Sequence, residues 1–561
     1  GGGRGVYGLY AVSNVGSLLG LLAYPFAVEP FLSLGVQWLA LAVSLTVYAA
    51  LLACVAFAPR AARCGGATAA PADGEALGRA PAKTRALWFV LPAASAFLLN
   101  AVTAHLMVDV TPMPLVWVVP LAAFLLSYAV GFSSWGARRP GAWCAAAALA
   151  LAAAAWANGC WGTGSLLPNA LAGTAVLFLG GAVLHDWLYA VRPPAAGLSH
   201  YYLAIAAGGA AGGMLAALAA PRLFAGVTEY PLALLVCAAL VAWRGPKPAA
   251  AARKPARVWL WASGCGAAWL LLFGALARRT QSHTLFAGRN FYGCLRVTRT
   301  VEAFGSDGMF PVHYLWCGQT THGIQVQSPE LRRKGTSYYG PAGGGIAFYA
   351  HPAYRAGQGV KVGVIGLGAG CLACYGRPGD LFRFFEINPL VMRVATDPKL
   401  FTFLPDAPMP IDLVPGDARE MLRRERDAGD PLYDILILDA YSGDAVPYHL
   451  ATEEAFALYF ARLAPDGILA VHASNWHIDL LPLCKAVAQR LGACAYGAIS
   501  GREDNITAGS IWVFLTRQPH VYRYPRREHV HEVEWSEVRD IAAPTDEKGS
   551  LLPLLRNPFT R

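Results

Sequence analysis

Charge is scarce in this chain. Only 14% of its 561 residues are Asp, Glu, Lys or Arg, against 55% hydrophobic residues, and a mean hydropathy of +0.40 excludes an ordinary soluble protein. Up to about Leu276, sustained polar stretches are missing outside linkers such as Ala61 to Ala82 and Pro246 to Ala256, whereas the chain from Gln281 onward has a globular composition. No RNA- or DNA-binding motif accompanies the net charge of +10. The excess lies in loops beside apolar segments and in the tail from Arg517 to Arg561, where anionic lipid headgroups are a simpler partner than nucleic acid. The twelve cysteines form no zinc-type double pair and no disulfide framework, which points to a reducing or lipid setting and to no metal. Their one close pair, Cys371 and Cys374, is expected to pack the start of a helix against a sheet.

What the first half does have is long apolar runs: Val6 to Val28, Leu34 to Ala58, Leu87 to Met107, Met113 to Phe132, Trp143 to Trp156, Leu167 to Leu188, Tyr201 to Ala220, Pro231 to Trp243 and Val258 to Ala277. Most reach the roughly 20 residues that cross a bilayer, the fifth and eighth being short. Their Ala, Gly and Ser content suits close helix packing in lipid, and Gly208-Gly209 to Gly212-Gly213 reads as such a contact. Few ionisable residues interrupt them: Glu29, His105, Asp109, His185, Asp186 and Glu229, each near a span end. The basic clusters Arg60 to Arg85, Arg138-Arg139, Arg192 and Arg244 to Arg257 fall in alternate loops, which marks that face as cytoplasmic. Nine complete spans would then put the second half on the other face. A cytoplasmic second half is nonetheless expected, with Pro231 to Trp243 the best suspect for a run that does not cross. The chain opens without an initiator Met, and preceding spans are expected to be missing.

The most informative stretch is Val360 to Gly370, an apolar run closed by Gly366-Leu367-Gly368-Ala369-Gly370, followed by Phe384-Phe385-Glu386-Ile387-Asn388. A β-run ending in glycines and a second ending in an acid about 20 residues on form a nucleoside-cofactor pattern: the glycines admit the ligand, and the carboxylate accepts from ribose hydroxyls. Runs at Ile411 to Ala418, Tyr433 to Asp444 and Gly467 to Asn475 continue it, and with helix-length segments between them they predict an open parallel α/β sheet with its ligand at the carboxyl ends. The turn is G-x-G-x-G rather than the dinucleotide G-x-G-x-x-G, and the later tips are acidic. Acidic tips repel phosphates and attract cations, so an adenosyl sulfonium fits better than NAD. Asp417 and Ala418 suit an adenine amine, and Asp439 falls beside the reacting centre.

These residues resemble the polyamine aminopropyltransferases, the spermidine and spermine synthases, in the bacterial form fused to a multi-span membrane region. The resemblance rests on Gly366 to Gly370, Glu386 to Asn388, Gly416-Asp417-Ala418, Asp439 to Pro447 and Val471 to Asn475, and in the first half on Leu9 to Leu19 and Tyr201 to Gly213. It implies transfer of an aminopropyl group from decarboxylated S-adenosylmethionine to a small amine such as putrescine. It also implies that Asp439 takes the amine proton, that Gln325 helps hold the donor, and that Tyr339 and Asp444 face the acceptor. The family's L-D-G-x-x-Q becomes Thr321-His322-Gly323-Ile324-Gln325, one residue shorter. Its Y-H-E motif becomes Ser337-Tyr338-Tyr339-Gly340-Pro341, and its second acid is displaced to Asp444.

The expected organisation is an all-α polytopic membrane domain over 1–280, a small β subdomain over 281–345, a Rossmann-like domain over 346–520 and a tail over 521–561. The expected setting is the bacterial inner membrane, as a homodimer or a membrane-complex subunit. Two further readings stay open: an S-adenosylmethionine-dependent methyltransferase, and a non-catalytic subunit or transporter with a synthase-like domain.

Overall fold

The structure, a computed structural model, describes residues 3–57, 80–110, 116–133, 140–161, 166–194, 197–244, 283–303, 308–441, 447–475, 477–502, 504, 506–518, 530–550 and 552–556. The chain divides into two compact units, Gly1–Ala277 and Arg278–Arg561.

The first unit is helical: α1 (Gly3–Ala23), α2 (Leu34–Phe57), α3 (Ala82–Ala104), α4 (Val118–Gly131), α5 (Pro140–Trp161), α6 (Leu166–Ala190), α7 (Leu198–Met214) and α8 (Glu229–Arg244). Each falls on one of the first eight apolar runs, and the ninth lies outside the described residues. Among the described residues, four helical stretches, Leu34–Cys54, Ala82–Val108, Leu167–Ala190 and Leu198–Leu223, are long and apolar enough to cross a membrane. Helices α3 and α7 meet backbone to backbone. A Cβ on Gly208 would overlap the Phe89 carbonyl, and one on Gly212 the Ala93 carbonyl, so the small residues are steric requirements. Trp88 Nε1 donates to Val191 O at 2.9 Å. His185 is fully buried beside Asp186, which pairs with Arg244 at 3.5 Å.

The second unit holds two sheets. Strands β1 (Thr284–Asn290), β2 (Gly293–Ala303), β3 (Met309–Cys317) and β4 (Thr320–Val326) form an antiparallel meander. The larger sheet contains β5 (Lys361–Ile365), β6 (Leu381–Glu386), β7 (Ile411–Pro415), β8 (Tyr433–Leu438), β9 (Leu463–His472), β10 (Cys494–Ser500), β11 (Ser510–Thr516) and β12 (Val530–Glu532), in the order β12-β10-β11-β9-β8-β5-β6-β7. Strands β7, β6, β5, β8 and β9 run parallel. Their central residues, Val362, Phe382, Phe384, Ile435 and Ile437, are buried, as a sheet covered on both faces requires. The helices Pro389–Thr396, Ala418–Ala428, Glu453–Ala461 and Leu481–Leu491 provide cover.

Two expectations change. The sheet is mixed, because β10 and β11 pair antiparallel: the short connection 501–509 permits a hairpin but not a crossover. Also, Cys371 and Cys374 open no helix. They lie in a single 3-10 turn, Cys371–Tyr375, which Gly376-Arg377-Pro378-Gly379 stops before a second turn can form. Burial drives the Cys371 thiol up to about 12 and raises that of Cys374 as well, so both are inert packing groups.

Candidate functional site

Chain order reverses between β5 and β8, where the crossovers leave on opposite sides and open a crevice beyond the carboxyl ends of the strands. A cleft occupies that position. The glycine turn, Glu386, Asp417 and Asp439 line it from the large sheet, and Leu295, Leu315, Cys317 and His322 line it from the small one.

The glycine turn is shaped by its neighbours. Gly366 has φ 100, and a Cβ there would overlap the main-chain carbonyl of Asp439. Gly368 has φ 54, and its Cβ would lie 2.5 Å from His322 O on β4. Ala369 N donates to that same carbonyl at 3.2 Å. The turn is thus pinned between the tip of β8 and the small sheet, in conformations that side chains resist. Gly370 faces Leu404 instead and does not reach the cleft. The 3-10 turn that follows offers no long helix N-terminus, so the seat that a pyrophosphate needs is not built here.

Glu386 ends β6, 9% exposed. Its Oε2 accepts from Leu367 N at 3.1 Å and its Oε1 from Asn388 N at 2.7 Å. Burial raises its pKa, and these backbone donors partly offset the rise. Asp417 caps the helix Ala418–Ala428 by accepting from Glu420 N at 3.0 Å, while its second oxygen lies 2.7 Å from His449 Nε2. Ala418 lines the cleft beside it.

Asp439 follows β8 and is held from two sides. Tyr339 Oη donates to Oδ2 at 2.6 Å, and His472 Nδ1 lies 2.7 Å from Oδ1. The side chains of Asp439 and His472 are 7% and 4% exposed. Burial, and after it the neighbouring Asp439 charge, lift the Tyr339 hydroxyl well above the usual tyrosine range, so it remains a donor. The His472 ring lies between Tyr338 (centroids 4.3 Å) and Trp512 (4.7 Å), both stacked, and Tyr441 Oη donates to the His472 carbonyl.

Of the residues expected at the site, Tyr339, Gly366, Gly368, Glu386, Asp417, Ala418 and Asp439 line one cleft. Gln325 does not. It is fully buried, with its amide donating to Arg332 O and Thr402 Oγ1 and accepting from Thr402 N, so it joins the small sheet to residues 400–402 rather than facing the cleft. Asp444 lies outside the described residues. His449 and His472 carry no spacing signal, since only the fold brings them to acids 32 and 33 residues away. No group of three or more His, Cys, Asp or Glu side chains gathers as a metal site among the described residues.

Strand order, glycine turn and acidic tips define a Rossmann-like α/β fold. No protein-family model matches the chain. It is 34% identical over 130 residues to an N-terminal histidine N-methyltransferase of Emericella nidulans, covering 22% of this chain and 21% of that protein. It is 27% identical over 163 residues to a polyamine aminopropyltransferase of Vibrio vulnificus, covering 28% and 49%. The chain therefore spans about a fifth and about half of these curated relatives. Among solved structures, a spermidine synthase from Thermotoga maritima matches at 16% identity and TM-score 0.29, covering 42% of this chain and 73% of that one. A probable spermidine synthase from Corynebacterium glutamicum matches at 15% and 0.33, covering 46% and 95%.

Proposed function

We propose that this chain is an adenosyl-sulfonium-dependent transferase, and within that class an aminopropyltransferase that uses decarboxylated S-adenosylmethionine and a small amine. The observation that carries the reading is Asp439, a buried carboxylate held by two side chains at the sheet's switch point, in the cleft that Glu386 and Asp417 also line. The carboxylates in the cleft lining favour a cationic donor without a carboxylate of its own. The partial likeness to the Vibrio aminopropyltransferase supports the same choice.

In this reading Glu386 accepts from ribose hydroxyls, and Asp417 with Ala418 meets the adenine edge. The amine is protonated in solution, near ~10.4 for an alkyl ammonium, and must lose a proton to attack. Asp439 takes that proton. The nitrogen lone pair forms the new C–N bond, the C–S bond breaks, and its electron pair stays on sulfur, leaving neutral methylthioadenosine. Asp439 also faces the positive charge as it moves from sulfur to nitrogen.

Methyl transfer is the second reading, favoured by the match to the histidine N-methyltransferase. Incubating the purified full chain with intact or decarboxylated donor and a panel of amines separates the two. Methylthioadenosine supports aminopropyl transfer, adenosylhomocysteine supports methyl transfer, and neither product overturns the enzyme reading. We also propose that the apolar helices span the bacterial inner membrane with the transferase unit in the cytoplasm. A C-terminal reporter active only outside the cytoplasm tests this, and a positive signal would overturn it.

A further inference from the structure

The imidazole of His472 is committed to one partner. Nδ1 lies 2.7 Å from Asp439 Oδ1. A carboxylate oxygen accepts, so the ring meets it through an Nδ1 hydrogen. Nε2 is buried and has no hydrogen-bond partner among the described residues. The ring's two faces are closed by Tyr338 and Trp512. Trp512 is itself fixed, its Nε1 donating to Tyr338 O at 3.0 Å, so the two aromatics that hold the imidazole are tied to one another. A buried imidazole with one nitrogen unsatisfied is an unfavourable packing element, since a buried polar atom gives up its hydrogen bond to water without replacing it. An apolar ring would fill the same slot without that cost. The histidine therefore needs a reason other than packing, and the one group it touches through a ring nitrogen is Asp439.

We propose that His472 is a positioning residue for Asp439: with Tyr339 it fixes both carboxylate oxygens, so that the base meets the acceptor nitrogen in one orientation. His472 is not in the cleft lining and acts through the carboxylate alone. It keeps its own hydrogen throughout, and the proton lost by the amine stays on Asp439. The inference rests on the transferase reading for its kinetic consequence, but the pairing itself does not depend on turnover.

Two variants separate positioning from packing. His472→Phe keeps a ring between Tyr338 and Trp512 and removes the donor. His472→Asn gives up the ring but places an amide N–H near the Nδ1 position. Positioning predicts that His472→Phe lowers kcat about 30-fold or more while donor KM stays within about 3-fold, and that His472→Asn recovers part of the loss. It also predicts that Asp439→Asn combined with His472→Phe is no worse than Asp439→Asn alone. A packing role predicts the reverse: His472→Phe near wild type, His472→Asn poorly folded, and independent effects in the double variant.

The pairing is read without turnover by 15N-histidine NMR of the full chain in detergent. A protonated Nδ1 assigned by its loss in His472→Phe must shift in Asp439→Asn. An Nδ1 signal indifferent to Asp439→Asn overturns the proposal even if the enzyme is active. Absence of any product with that shift present overturns the transferase reading and leaves the pairing standing.

Discussion

The hydroxyl of Tyr339 and the carboxylate of Asp439 lie 2.6 Å apart, the first from the segment after the small sheet and the second from the tip of β8. Tyr339→Phe removes the donor and leaves the ring. A lost hydrogen bond to a charged group is worth about 1.5–3 kcal/mol, so kcat is expected to fall by about 10- to 100-fold. The hydroxyl is raised above its ordinary value of 10.0 by burial. Its contribution is therefore complete below that pH and is lost only as pH rises through the folded value. The pH–rate profiles of wild type and Tyr339→Phe should accordingly be parallel between neutrality and pH 10, and a tyrosine-like limb in that window seen only in wild type would contradict the assignment.

Glu386 gives a prediction of opposite kind. Burial raises its pKa above the ordinary 4.5, so folding favours the protonated form. The stability associated with it is fully present below that value and is lost as pH climbs through the folded value. Glu386→Gln cannot titrate. Wild type should gain stability relative to Glu386→Gln as pH falls from 7 toward 4, measured by denaturant midpoints of the two proteins, and a gap independent of pH would refute this. Donor affinity of the variant should fall by about tenfold or more, because one amide end turns an N–H toward Leu367 N or Asn388 N.

Gly366→Ala tests the turn. A positive φ and a clash with backbone add up: strain of about 1–2 kcal/mol for the left-handed side comes on top of displacement of the Asp439 carbonyl. Loss of activity of at least about a hundredfold is expected, with a smaller loss for Gly370→Ala, whose Cβ meets only the Leu404 side chain. Equal losses in the two variants, measured as kcat/KM, would argue against a special role for Gly366.

Away from the cleft, Glu425 accepts from Arg383 Nη1 at 2.6 Å, from Arg462 Nη2 at 3.2 Å and from Tyr433 Oη at 2.9 Å. Arg462 is 2% exposed. Glu425→Ala leaves that guanidinium without its carboxylate and is expected to cost about 3–5 kcal/mol. Urea unfolding reads the loss, and turnover per folded molecule should stay near wild type.

Strands β5 to β8 are legible in the sequence because each is a run rich in Val, Ile, Leu or Phe closed by glycine or an acid. Strand β10 escapes notice because Cys494 to Ser500 is rich in small residues, and β11, although an apolar run over Ser510 to Thr516, is closed by neither a glycine nor an acid. The turn after Gly370 reads as a helix start because small residues suit one, and only the Gly-Arg-Pro-Gly signal downstream argues otherwise. At the site, the acids at strand tips can be read from spacing, whereas His472, Trp512 and His449 cannot. Their roles depend on which strands become neighbours, and that follows from the order of the finished sheet.

The contact between Gly366 and the carbonyl of Asp439 has a consequence for how such a chain can diversify. In the proposed reaction, two main chains rather than two side chains set the span from the donor's seat to the proton acceptor. Substitutions beyond Asp439 can change which nucleophile is admitted without altering the distance over which the bond is made. Drift in the acceptor motif beside a constant glycine turn is then the expected evolutionary record, since one half of the reaction is held by backbone and the other is free to vary.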